Sequence, residues 1–228
     1  MEMAGCPQPL RPYVLSTNFT RTYDDMKYLF FDCETSGLPQ DYKAPASDTD
    51  NWPRLVSVAW LMSFDDVVYR VAHYVIHPIG FEIPKEATDV HGITTEFARK
   101  VGTGLYSVLK EFTRDAFETD AIVAHNLAFD RKILEAECVR ANMQNVFDVT
   151  EKLHGGKVFC TMEMGTDLCK IPGRYGYKWP RLDELHRHLF CGDPVEGAHG
   201  SLADARACMR CFQAMIAKAE SPSCPTGS

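Results

Sequence analysis

Apolar and polar positions along the chain alternate in two distinct rhythms. Tyr28–Phe31 is a short apolar run that ends in acids, and Leu55–Phe64 and Val67–Ile76 are rich in Val, Ala, Trp and Tyr around an Asp65-Asp66 turn. These segments predict three strands, the last two forming a hairpin. From Gly104 to Phe117 the spacing of Leu105, Val108, Leu109 and Phe112 switches to that of a helix. A brief all-apolar segment, Ala121–Ala124, then reads as a buried strand, and a second helix follows from Leu127 to about Asn142. Val158–Cys160 is a weaker strand, and helices are expected near Thr161–Cys169, Arg181–Phe190 and Leu202–Lys218. Strands first, then helices alternating with strands, indicate an α/β layered domain. Residues 1–24, with three prolines and little periodicity, read as a loosely held N-terminal arm. The stretch 221–228 reads as a tail, leaving one compact domain over about 25–220.

Composition refines this only modestly. The 228 residues are 45% hydrophobic and 24% charged, the balance of an ordinary globular chain. No run of about 18 apolar residues could cross a bilayer. Met1–Gln8 lacks the basic-then-apolar pattern of a secretory signal. Nine dispersed cysteines fit reduced thiols better than a disulfide framework, so a cytoplasmic location is expected. Cys208 and Cys211 form a C-x-x-C pair without a second ligand pair at zinc-site spacing, and read as buried thiols on a helix. The net charge of −7 argues against indiscriminate binding to polyanions, unless some of the acids bind cations.

Three places carry candidate chemistry. Asp32 and Glu34 end the first strand; two residues apart, they project to the same side of the sheet. Like charges that close repel, an arrangement that divalent cations make favourable. A solvated strand end running into the Thr35-Ser36-Gly37 turn explains the same pair without chemistry. The second place is the step from strand to helix at His125-Asn126-Leu127-Ala128-Phe129-Asp130, where Asn126 fits an N-cap and Asp130 lies one turn in. Ligands commonly bind at that edge of such sheets, although an acid near a helix N-terminus is also favoured by the helix dipole alone. The third is His199-Gly200-Ser201-Leu202-Ala203-Asp204. Here Ser201 and Asp204 match a capping box, while His199 is an imidazole able to take a proton from water.

Taken together, Asp-x-Glu at a strand end, Asp130 after a strand-to-helix turn and His199 five residues before Asp204 resemble the DnaQ-like exonuclease family. More narrowly, they resemble its DEDD type with histidine, a family that includes the DNA polymerase III epsilon subunit, ribonuclease T and oligoribonuclease. The resemblance spans about residues 26–215. Pro84–Thr94, with His91-Gly92-Ile93-Thr94, and Lys178-Trp179-Pro180-Arg181-Leu182 fit it as well.

The resemblance implies a ribonuclease H-like fold, a mixed five-stranded sheet flanked by helices. It also implies a metal-dependent 3′-to-5′ exonuclease that releases nucleoside 5′-monophosphates. Asp32, Glu34 and Asp204 would hold one divalent cation, Mg²⁺ or Mn²⁺, and Asp32 with Asp130, through water, a second; His199 would be the general base. Thr35, Gly37, Leu38 and Asn126 would contact the substrate. The partner implied is a nucleic-acid 3′ end, single-stranded or frayed DNA being favoured, with no membrane role. An exoribonuclease acting on RNA ends and a catalytically inert nucleic-acid-binding module are the competing readings. Between Lys170 and Arg187, five Lys or Arg and two acids are interleaved with Tyr175, Tyr177 and Trp179. That mixture suits a single strand, or equally a solvated loop with its aromatic rings packed inward.

Overall fold

The computed structural model describes residues 26–148 and 157–220. The arm and tail read from the sequence lie outside those residues. Five strands form one mixed sheet in the order β3-β2-β1-β4-β5, from β1 (Lys27–Thr35), β2 (Leu55–Phe64), β3 (Val67–Val75), β4 (Ala121–Ala124) and β5 (Lys157–Cys160). β2 pairs antiparallel with both β1 and β3, whereas β4 is parallel to β1 and to β5. Asp65 and Asp66 both take positive φ, 49° and 58°. Such a pair of left-handed residues lets a two-residue turn follow the twist of its strands.

β1 continues past the apolar run. Asp32 pairs with Ala59 and Glu34 with Ser57, so the ladder to β2 holds the two acids inside the strand. Alternation then assigns the faces. Leu29, Phe31 and Cys33 face α3 (Leu105–Phe117) and α4 (Leu127–Arg140) in a core with Val108, Leu109, Phe112, Ile133 and Leu134. Tyr28 and Phe30 face the last helix, where they pack with its Ala205, Cys208 and Phe212. The Phe30 and Phe212 rings meet nearly edge to face at 5.6 Å. Fully burying each such ring contributes roughly 1.5–3 kcal/mol. Asp32 and Glu34 extend the Tyr28/Phe30 face, which aims both carboxylates at the start of the last helix.

Two short helices, α1 (Lys85–His91) and α2 (Thr95–Val101), have no counterpart in the sequence reading. Each buries a single residue, Ala87 or Ala98, and so lacks the apolar periodicity that marks a helix. The remaining elements are α5 (Thr161–Cys169), a two-stranded hairpin of β6 (Pro172–Gly173) and β7 (Gly176–Tyr177), α6 (Leu182–Leu189) and α7 (Ser201–Glu220). Cys208 and Cys211 are buried on α7. Among the described residues no helix is long and apolar enough to cross a membrane.

Candidate active site

Three separate elements bring their acids to one place. β1 supplies Asp32 and Glu34, and the first turn of α7 supplies Asp204. One carboxylate oxygen from each of these three lies within 4.8 Å of the others. Asp130, in the first turn of α4, is only 3% exposed, and its Oδ1 accepts the Cys33 N–H at 3.2 Å. That bond ties α4 to β1 between the two strand acids. Asp130 stands outside the three-acid group, yet it is close enough to Asp32 to repel it.

The protonation behaviour follows from this crowding. Burial, then repulsion by Asp130, Asp204 and Glu34, pushes the Asp32 carboxyl well above the usual carboxylate range. Glu34 is pushed up to about 7 by burial and by Asp204. Burial raises Asp130 strongly despite the Cys33 N–H and thiol, and raises Asp204 despite the His199 N–H. Among the described residues none of the four forms an ion pair with Lys or Arg. A group of hard oxygen donors with no internal counter-charge suits divalent cations of the Mg²⁺ or Mn²⁺ type.

His199 is exposed and takes a left-handed backbone (φ 68°) just before α7; its N–H donates to Asp204 Oδ2 at 3.1 Å. That arrangement corrects the capping-box reading. Gly200, not Ser201, provides the first helical carbonyl, accepting the Asp204 N–H at 3.0 Å. The Ser201 hydroxyl instead bonds the Ser57 hydroxyl at 2.9 Å, fastening the start of α7 to β2. Asp204 therefore does hold a backbone N–H, but that of the candidate base.

Asn126 needs a correction too. It occupies the N-cap of α4 in a left-handed conformation (φ 61°) and its side chain makes no capping bond. Asn tolerates that region better than most residues, and the tight reversal from β4 into α4 demands it. In the turn after the strand acids, the Thr35 hydroxyl donates to the Gly37 carbonyl at 2.6 Å. Arg54 N–H donates to the Ser36 hydroxyl at 2.9 Å, and Leu38 is left 73% exposed. An apolar side chain so open beside an acid cluster is available to a ligand.

Two histidines near the site received no role from sequence. His125 Nε2 lies 3.1 Å from the Pro180 carbonyl and Nδ1 lies 3.0 Å from the Thr161 hydroxyl. With Nε2–H donating to the carbonyl, Nδ1 accepts from Thr161, and burial pushes the imidazole down to about 4. It is a neutral strut joining β4 to α5 and to the segment before α6. His91 Nδ1 accepts the Ile93 N–H at 3.1 Å, while its Nε2 is buried without a hydrogen-bond partner. The Thr35 backbone lies beside that ring, so the His91-Gly92-Ile93-Thr94 stretch backs the turn that follows the acids. Only their burial and partners reveal these two residues, and neither feature has a signature in sequence.

Comparison with known proteins bears on family and fold. Residues 29–212 match the RNase_T family model, described as Exonuclease. An uncharacterized exonuclease, CP81 of Escherichia phage 186, is 26% identical over 180 residues, 78% of this chain and 82% of that protein. A solved exonuclease I structure superposes with a TM-score of 0.67 at 18% identity, over 86% of this chain and 41% of its own. The zinc-bound form of the E. coli ExoI–ssDNA complex gives 0.65 at 19% identity over 87% and 42%. E. coli exonuclease I in complex with a dT13 oligonucleotide gives 0.65 at 19% over 86% and 42%. This chain thus spans about two fifths of the length of these solved structures.

Proposed function

Because the chain belongs to the RNase_T exonuclease family, we propose that it is a metal-dependent 3′-to-5′ exonuclease that removes nucleoside 5′-monophosphates from single-stranded or frayed DNA ends. One observation carries the reading: Asp32, Glu34 and Asp204 converge within 4.8 Å, and among the described residues none of them is paired with Lys or Arg. In this reading those three acids hold one divalent cation, and Asp32 and Asp130, through water, hold a second. Such ions, when bound, offset the charge of a substrate phosphate and favour ionisation of a water.

The side chains do the rest. His199, tethered through its N–H to Asp204, takes the proton of the attacking water. The oxygen–phosphorus bond forms as the bond to the penultimate 3′ oxygen breaks, so the phosphate leaves on the 5′ carbon of the terminal nucleotide. Leu38, 73% exposed beyond the acids, packs on the terminal nucleotide. The Thr35–Gly37 turn, held by its own hydrogen bond, offers its backbone to the same nucleotide, and Asn126 contacts it from the start of α4.

The test uses 5′-labelled single-stranded DNA, duplex DNA and RNA, each with Mg²⁺, Mn²⁺ or EDTA, alongside Asp204→Ala. A ladder shortening from the 3′ end on single-stranded DNA, absent with EDTA and in the variant, is expected. Cleavage of RNA alone would replace the DNA reading with the exoribonuclease one. Internal cuts, or products with 3′ phosphates, would contradict the mechanism.

A further inference from the structure

In the hairpin between α5 and α6 and the residues just after it, large aromatic rings stand in solvent at regular intervals. Tyr175 is 90% exposed, Tyr177 52% and Trp179 63%. Of the two readings of this stretch, the one with rings packed inward does not hold. They occupy alternate positions along a backbone whose shape is fixed: Pro172 pairs with Tyr177, Gly173 pairs with Gly176, and Lys178 N–H donates to Ile171 O at 2.9 Å. A Cβ on Gly173 would meet the Lys178 nitrogen at 3.0 Å and the Gly176 carbonyl at 3.1 Å, and Gly176 itself takes φ 126°. Gly173 is thus set by close backbone approach and Gly176 by its positive φ, and the hairpin presents its rings on a defined frame.

The charges around these rings are of two kinds. Lys178 is committed to Glu184 (2.7 Å) and Arg181 to Asp183 (3.0 Å), so neither adds an open cation. Lys170 and Arg174 form no ion pair among the described residues. Arg174 lies 5.2 Å from the centroid of the Tyr175 ring, placing a cationic group over one ring face. In a chain of net charge −7, aromatic faces with two open cations are complementary to a flexible polyanion bearing stackable bases. A protein partner would more often be met by an apolar centre with a polar rim.

The segment is also tied to the acid cluster. Trp179 precedes Pro180, whose carbonyl accepts from His125 Nε2. His125 in turn precedes Asn126, which opens the helix that carries Asp130.

We infer that Tyr175, Tyr177, Trp179 and Arg174 form a stacking platform for single-stranded nucleic acid upstream of its 3′ end. The inference rests on the nuclease reading above, and two readouts separate their failures. The first is the Kd of a fluorescein-labelled oligothymidylate of about 20 nucleotides, measured by anisotropy in EDTA so that no cleavage occurs. The second is turnover, with Mn²⁺, of the p-nitrophenyl ester of thymidine 5′-monophosphate, which has no strand beyond the scissile bond.

Stacking is worth roughly 1–3 kcal/mol per base, so Tyr175→Ala/Trp179→Ala should weaken the strand Kd about 10-fold or more. Its effect on the ester should be at least about tenfold smaller, in line with a site distant from the scissile bond. Tyr175→Phe/Trp179→Phe, which keeps the ring faces, should restore most of the affinity. Arg174→Gln should reduce the salt slope of log Kd by about one phosphate contact. A strand Kd unmoved in the double alanine variant overturns the platform. Equal losses on strand and ester overturn it as well, because the rings would then act through the site. If the wild type binds the strand through these rings but leaves the ester intact, the platform stands and the nuclease reading falls.

Discussion

Two groups of acids in this molecule, one buried and one largely half-buried, have opposite environments. Glu137, wholly buried on α4, receives Arg54 Nε, Arg140 Nη1 and the Leu55 N–H, each at 2.9 Å. Asp115, on α3, receives the Trp60 indole at 2.8 Å together with Arg70 and Arg114. Glu135 is held by Arg131, Lys132 and Asn145, and although burial alone would raise its carboxyl, these partners bring it below the usual range. At the C-terminal end of β1 the pattern reverses. Asp32, Glu34, Asp130 and Asp204 crowd one another with no Lys or Arg paired to them among the described residues, and each is raised. The first group is complete as a folded chain. In the proposed reading the second is completed by a positive charge from outside, and this difference separates a scaffold from a site.

The largest expected contrast sets one acid of each group side by side. Asp32→Asn should lower kcat by on the order of 10³-fold or more, while the metal-free protein becomes more stable because repulsion is relieved. Glu137→Ala should do the opposite, costing about 3–5 kcal/mol of stability by stranding Arg54 and Arg140 with kcat of the folded fraction nearly retained. Thermal melts and turnover of both variants check this pair. An Asp32→Asn protein that loses stability without losing activity would dissolve the distinction.

Next in size is the response to cations. At about 100 times its Kd, Mg²⁺ or Mn²⁺ should stabilise the wild type by about 2.7 kcal/mol per site. The Tm should rise accordingly, and Asp32→Asn should respond far less.

The pH dependence of the metal-free protein follows from the same contrast. Glu34 sits at about 7 rather than its ordinary 4.5, so the folded state holds its proton more tightly than the unfolded one. Stability should therefore fall, by on the order of 2 kcal/mol, as pH rises from about 4.5 to 7. Glu34→Gln should flatten that slope. Glu135 acts with the opposite sign: its lowered carboxyl contributes stability above the ordinary carboxylate range that is lost as pH falls through it. Chemical denaturation at several pH values, with and without Mg²⁺, measures both.

The smallest effect is expected at Leu38. Leu38→Ala should raise KM for short substrates about 3- to 10-fold, with Mn²⁺ affinity as in the wild type. An unchanged KM would detach the Thr35–Leu38 turn from substrate binding.

The sequence exposes the fold where elements bury a continuous face. β2, α3 and the strand–helix step at β4 read correctly because their apolar rhythm is imposed by the core; β3, which buries only Ala72, reads correctly from its β-forming residues and the Asp65-Asp66 turn instead. α1 and α2 do not, because each buries one alanine and is held by neighbours instead of by its own pattern. The site acids were legible as isolated hints, and the period of two in β1 already placed Asp32 and Glu34 on one face. Which of the two cores that face joins was not legible; it depends on α7 packing against Tyr28 and Phe30. The caps were misread for a related reason. The Ser201 hydroxyl is taken by Ser57, 144 positions away, a partner that local pattern cannot supply.

The most direct measurement is Mn²⁺ binding to the metal-free protein, followed by calorimetry at neutral pH with Asp32→Asn and Glu137→Gln in parallel. The account predicts that Mn²⁺ binds the wild type and the Glu137→Gln protein alike, at about two ions per chain, and that Asp32→Asn removes or greatly weakens this binding. Binding that survives in Asp32→Asn, or no binding to the wild type, would contradict it.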